Sequence, residues 1–242
     1  MMDINCDMGE IQDLLANNVY SGLMDHVTSI NLACGGHAGD ENMMRELMGI
    51  AHQKNVNVGA HPSYPDRENF GRLEMDLEPG DLVESICGQV QSLLNIAHEE
   101  NVEITHVKPH GALYNLAARD KDLARLIGEA VQRVAPQLPV MCLAGSTMMS
   151  VLQEGGLDVM AEAFSDHTYE ANGSLRNRGL EGALITDPKQ AAAQAQLIAR
   201  HGQVIAFDGS EITIDAQTLC VHSDTPNALA IAKAVNRARA VP

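Results

Sequence analysis

Short runs of β-branched and apolar residues recur at 2–6, 27–33, 55–60, 103–108, 139–143, 157–163, 203–207 and 217–222, and longer helix-like segments fill the intervals between them. That alternation is the strongest constraint on the fold, because parallel strands need crossover connections and a helix is the usual one. Seven or eight such units in 242 residues predict one α/β domain over 1–242, closed or nearly closed into a barrel. No Pro/Gly/Ser-rich linker divides the chain and no internal repeat of fixed period occurs.

The helix signals have physical causes. Residues 40–54 begin at Asp40, an N-cap type, followed by Glu41; 79–100 begin at Pro79; 119–135 end before Pro136; 187–201 join Asp-Pro to an alanine-rich body; and 226–240 are similar. Near the end, "EITI" and "TLCVH" are separated by Asp-Ala and are expected to pair as a hairpin, breaking the alternation.

A formal net charge of −16 without a basic cluster argues against nucleic acid, and few aromatic residues are on offer as stacking platforms. The chain has no basic n-region leading into an apolar stretch, and no run of about 18 apolar residues, so a cytoplasmic location off the membrane is expected. The five cysteines are scattered with no C-x-x-C pair and read as small buried hydrophobes in a reducing compartment.

Barrel enzymes build their sites at the C-terminal ends of the strands. Here those ends carry Asn5, Asp7 and Glu10; His37 and Asp40; His61, Tyr64 and Asp66; Lys108 and His110; Glu162, Asp166 and Tyr169; and His222 and Asp224. A single histidine at a strand end is more often structural than catalytic, but four of ten (His37, His61, His110, His222) converging on one face point to a site.

In "ITHVKPHGALYN", residues 104–115, Pro109 holds Lys108 extended and keeps a helix from spanning 106–110, so His106 and His110 are not a helical i, i+4 metal pair. On an extended chain His106, Lys108 and His110 share one face. Lys108 could hold a carboxylate or phosphate as a point charge, or pair with Asp7 or Glu162. In "CGGHAGD", Gly35, Gly36 and Gly39 let backbone N–H groups approach an anion ahead of a helix. Arg72, Arg176 and Arg178 could clamp carboxylates or make surface pairs. Neither a Walker-type loop nor a G-x-G-x-x-G fingerprint is present.

The ordered blocks "DINCDMGE", "NLACGGHAGD", "VGAHPSYPD", "NFGRLEM", "THVKPHGALYN", "EAFSDHTY", "GSLRNRG" and "CVHSDTP" resemble the LamB/YcsF family across nearly the whole chain. The resemblance implies a distorted TIM-like (β/α) barrel of the glycoside hydrolase/deacetylase type. It also implies a role as the A component of an ATP-dependent 5-oxoprolinase, which opens the lactam of 5-oxoproline to L-glutamate together with subunits B and C. Two positions depart from the family pattern: Gly36 stands where phenylalanine is usual, and Ser223 where glycine is usual. The segment between Glu10 and Asp25 also lacks the usual Phe-Gly.

Lactam opening needs donors for developing negative charge and a base for water. Asp7, His61, Lys108 and His110 are the expected catalytic residues. Asn5, His37, Gly39, Asp40, Tyr64, Glu162, Arg178 and His222 are expected to contact substrate. ATP, with magnesium, is expected to bind at a shared or atypical site or on the partners; a homo-oligomer is compatible with this reading. Two alternatives remain open: a metal-dependent deacetylase or amidohydrolase with the ion on Asp7, His61 and His110, and a non-catalytic subunit that binds a small carboxylate or lactam.

Overall fold

The computed structural model describes residues 2–239. In chain order it contains β1 (Asp3–Met8), α1 (Gln12–Ala16), α2 (Val19–Met24), β2 (Ser29–Ala33), α3 (Glu41–Lys54), β3 (Asn57–His61), α4 (Pro79–Glu99), β4 (Ile104–Val107) and α5 (Gly111–Ala117). There follow α6 (Lys121–Val134), β5 (Val140–Leu143), α7 (Thr147–Glu154), β6 (Val159–Phe164), α8 (Pro188–His201), β7 (Gln203–Ile205), β8 (Glu211–Thr213), β9 (Thr218–His222) and α9 (Ala228–Arg239).

The strands β1-β2-β3-β4-β5-β6-β9 form a closed parallel barrel in which β9 pairs with both β6 and β1. This is the expected TIM-like architecture with seven barrel strands. The run at 203–207 is a short strand outside the barrel: β7 pairs antiparallel with β8. The expected hairpin between "EITI" and "TLCVH" does not form. Residues Thr218–His222 are buried on both faces, and such a segment gains more by closing the barrel between β6 and β1 than by pairing at an exposed edge.

Local chemistry sets the helix boundaries. The Asp40 carboxylate accepts from Met43 N at 2.9 Å, Asp120 from Asp122 N and Leu123 N at 2.9 Å each, and Asp187 from Lys189 N and Gln190 N at 2.9 Å each. The last helix expected from the sequence is observed from Ala228 to Arg239, and position 240 lies outside the described residues.

The outside of the barrel packs helices on Ile4, Cys6, Met8, Leu32, Val58, Val140 and Leu219, all buried. The interior is different, because alternate residues of several strands are polar. Asn5 Nδ2 donates to Glu162 Oε1 and to Thr218 Oγ1, both at 2.8 Å, while Asn31 Nδ2 donates to Asn5 Oδ1 and to Asp7 Oδ1, both at 2.7 Å. His106 Nε2 donates to Asn31 Oδ1 at 2.7 Å, and Thr105 Oγ1 lies 2.9 Å from the other ring nitrogen, so this histidine is a satisfied interior group below the site. A network that satisfies its members this fully fixes one arrangement of the barrel floor.

Candidate functional site

At the C-terminal ends of the strands lies a cavity of about 900 Å³ whose lining includes Asp7, Glu10, His61, Lys108, His110 and His222. Arg72, Arg176 and Arg178 stand among its rim residues.

The floor is organised around Lys108, which is buried at 2% exposure. Its ammonium lies 2.9 Å from Asp7 Oδ1 and 2.9 Å from Glu162 Oε1, with Cys220 Sγ at 3.2 Å. Burial disfavours the charge, but Asp7, Cys220 and Glu162 outweigh it and hold the lysine pKa well above its ordinary value. Burial likewise pushes the Asp7 carboxyl up, yet Lys108, His61 and His222 bring it well below the usual carboxylate range. Lys108 is therefore a cation shared between two carboxylates, the second of the two alternatives that the sequence left open. Tyr114 closes the same corner, its hydroxyl donating to Glu162 Oε2 at 2.7 Å.

One wall is a Glu-His cluster. Glu10 Oε1 lies 2.9 Å from His37 Nε2, 3.2 Å from His110 Nδ1 and 3.8 Å from His61 Nε2. His37 and His110 stack with ring centroids 3.7 Å apart, and His61 Nε2 is 3.0 Å from His110 Nδ1. Burial lowers the pKa of His37, and burial with His37 and His61 lowers that of His110 well below its ordinary value. For His61 burial opposes charging, but Asp7 and Glu10 outweigh it and the pKa is raised.

The opposite wall is a carboxylate-imidazole pair. His222 Nδ1 lies 3.0 Å from Asp166 Oδ1, and Asp166 Oδ2 accepts from His222 N at 2.9 Å and from Thr225 Oγ1 at 2.8 Å. Burial opposes ionisation of Asp166, but these contacts bring its pKa to about 2. The buried carboxylate fixes the proton of His222 on Nδ1 and leaves Nε2 as an acceptor, 4.0 Å from Asp7 Oδ2.

Of the residues singled out from sequence, Asn5, Asp7, His37, His61, Lys108, His110, Glu162 and His222 come together, and Arg178 reaches the rim, where it pairs with Asp224 at 2.9 Å. Three of the expected substrate contacts do not join them. Asp40 is exposed and its carboxylate caps α3, so the helix start expected to take an anion is already satisfied by its own side chain. Gly39 serves a turn: at φ +80 its missing Cβ would stand 2.5 Å from the Ala33 carbonyl oxygen, and its own carbonyl accepts from Arg67. Tyr64 is buried in the apolar core beside the barrel.

Glu10 is the principal site residue beyond the expected catalytic set. Gly9, at φ +79, turns the chain directly after β1, and the Tyr20 hydroxyl accepts from Glu10 N at 3.1 Å and Ile11 N at 2.9 Å, which pins the carboxylate over the histidines. Of the metal set expected from sequence, His61 and His110 stand with Glu10 and His37 in a group whose ligand atoms lie within 4.8 Å of one another, while Asp7 groups in the same way with Cys220 and His222 and keeps its Oδ2 3.5 Å from His61 Nε2.

The two departures from the family pattern have local consequences. A Cβ at Gly36 would lie 2.3 Å from Gln89 Oε1 and 2.7 Å from Ser63 Oγ, so buried Gln89 occupies space a larger residue would need. Gln89 bonds both backbone groups of Ser63, at 2.9 and 2.8 Å. The Ser223 hydroxyl is buried and has no protein hydrogen-bond partner.

The LamB/YcsF family model matches residues 2–240. The chain belongs to the LamB/YcsF family. The A component of the 5-oxoprolinase of Chloroflexus aurantiacus is 47% identical to this LamB/YcsF chain over 94% of it and 90% of the relative. That of Heliobacterium modesticaldum is 43% identical over 97% and 92%. The crystal structure of the lactam utilization protein from Thermus thermophilus superposes with a TM-score of 0.90 at 39% identity, covering 98% of this chain and 95% of that one. Dispersin B, at 7% identity and a TM-score of 0.50 over 97% and 98%, shares the fold alone. Among the described residues no helix is long and apolar enough to cross a membrane.

Proposed function

We propose that this chain is the A component of an ATP-dependent 5-oxoprolinase, opening the lactam of 5-oxoproline to L-glutamate with hydrolysis of ATP. The observation that carries the reading is that relatives more than 40% identical over almost their whole length bear that name. The name marks each relative as one piece of an assembly, which also supports partner chains, here subunits B and C, that complete the reaction.

A lactam amide is a poor electrophile. Transfer of the γ-phosphoryl group of ATP to its oxygen, with ADP leaving, yields a carbon that water can attack. The ring C–N bond then breaks with a proton delivered to nitrogen, leaving an acyl phosphate whose hydrolysis by a second water releases glutamate and phosphate. His222, oriented by Asp166, is the best placed general base, since its Nε2 is the free acceptor above Asp7. The proton that His222 takes from water can be returned to the departing nitrogen. Asp7 and Lys108 supply the fixed field of the floor. At the rim, Arg178 and Arg72 both pair with Asp224 and present guanidinium groups suited to the substrate carboxylate. ATP, with magnesium, binds at a site shared with or carried by the partners, because the chain has no recognised nucleotide loop.

The test is reconstitution with subunits B and C, measuring glutamate and ADP. Turnover dependent on both 5-oxoproline and all three components is expected. Robust 5-oxoproline-dependent ATP hydrolysis by the isolated chain would remove the partner requirement, and no glutamate from the complete complex would remove the activity.

A further inference from the structure

We propose that Glu10, His37, His61 and His110 form a binding site for one divalent transition-metal ion of the zinc type. The inference concerns the same cavity but does not rest on the lactam reading.

Backbone carbonyls fix where the ring protons of two of these histidines sit. His61 Nδ1 lies 2.7 Å from the Lys108 carbonyl oxygen, and His110 Nε2 lies 3.0 Å from the Phe70 carbonyl oxygen. A carbonyl only accepts, so each contact holds a proton on that nitrogen and leaves the opposite one as a lone pair. Those opposite nitrogens, His61 Nε2 and His110 Nδ1, face each other at 3.0 Å. One added proton on His61 would settle that contact, and His37 Nε2 can donate to Glu10. The His110 Nδ1 lone pair would still face the Glu10 carboxylate oxygen at 3.2 Å. Turning the His110 tautomer over only moves the clash to the Phe70 carbonyl. A second proton on His110 would satisfy both contacts, but burial and the neighbouring His37 and His61 disfavour it, whereas a cation at the centre removes every acceptor-acceptor contact at once.

The spacing of the ligand atoms suits such an ion, and the parallel stack of His37 on His110, with centroids 3.7 Å apart, has to open for both rings to aim at it. Metal-nitrogen and metal-oxygen bonds of about 2.0–2.1 Å in a tetrahedron put ligand atoms roughly 3.3 Å apart. The observed separations of 2.9, 3.0, 3.2 and 3.8 Å bracket that value, and all four atoms lie within 4.8 Å of one another. Three imidazoles with one carboxylate select zinc and its neighbours over magnesium or calcium, which take oxygen ligands. The backbone carbonyls on His61 and His110 are the outer contacts that orient ligating histidines in metalloproteins. The group of Asp7, Cys220 and His222 is different, because the Lys108 ammonium already sits against Asp7 and Cys220.

Calorimetry of the chelator-treated full chain with Zn2+, and the visible spectrum of its Co2+ form, test the site. One ion per chain is expected, with a tetrahedral Co2+ spectrum. Affinity should fall at least about tenfold in His110→Gln and in Glu10→Gln, and stay unchanged in His52→Gln on the exposed face of α3. A rise in Tm with Zn2+ in the wild type, absent in Glu10→Gln, gives a second reading if His110→Gln does not fold. No saturable binding to folded wild-type protein, or equal binding by the Glu10 variant, overturns the proposal. Stoichiometric binding without lactam turnover would overturn the proposed function alone.

Discussion

Lys108 shows how one residue holds the site in shape. Its ammonium separates two buried carboxylates, and removing it leaves Asp7 and Glu162 facing one another without a counter-charge. Lys108→Met is therefore expected to lower stability by about 3–5 kcal/mol, read as a shift in urea midpoint at pH 7.5. A midpoint equal to the wild type would contradict the assignment of this ion triad. The histidines, Asp7 and Lys108 are legible in the sequence because each stands at a strand end, where period and topology together fix the direction of a side chain. Glu10 is harder to weigh. It owes its position to the turn at Gly9 and to Tyr20 reaching back from α2, and neither leaves a periodic trace. Asp40 misleads for the converse reason: a carboxylate just before a helix can bind the helix itself, and here it does.

At the scale of elements, β3 and β4 meet through a register shift between Val58 and Gly59. A Cβ at Gly59 would stand 2.1 Å from His106 Nε2, so the absence of a side chain is what lets His106 reach Asn31. Gly59→Ala should cost about 2–4 kcal/mol through overpacking and the lost hydrogen bond. An amide spectrum that leaves Asn31 unperturbed, with unchanged stability, would count against this. Strand and helix positions are readable from period and caps in most of the chain. The failure comes at 203–222, where three short strands compete for partners. Barrel closure by β9 is a long-range event joining residue 3 to residue 218, and local spacing carries no record of it.

For the whole molecule, the polar barrel interior makes stability depend on acid. Burial lowers the pKa of His106 and His167 to about 4 from 6.5, so both rings are neutral in the fold and charge more readily in the unfolded chain. The unfolded state then binds more protons below pH 6.5, and the stability these two supply is lost as pH falls from 6.5 toward 4. Each imidazole contributes up to roughly 3 kcal/mol over that window. Asp166, held near 2, contributes above about pH 4 and is lost only at lower pH. Denaturation midpoints across pH 4–8 should fall steeply below about 6.5; a flat profile down to pH 4 would contradict the neutral assignment. The chain is acidic, its barrel is closed, and arginines stand among the residues that line its cavity.

On the proposed function, acid-base chemistry on the lactam takes place between the Asp166-His222 pair and the Asp7-Lys108 floor. The most direct measurement is kcat for glutamate formation by the complex of this chain with subunits B and C, comparing wild type with His222→Gln and Asp7→Asn. Both variants should remain folded and lose about 10²–10⁴-fold in kcat, with a smaller change in KM. Wild-type kcat in both folded variants would place the chemistry elsewhere.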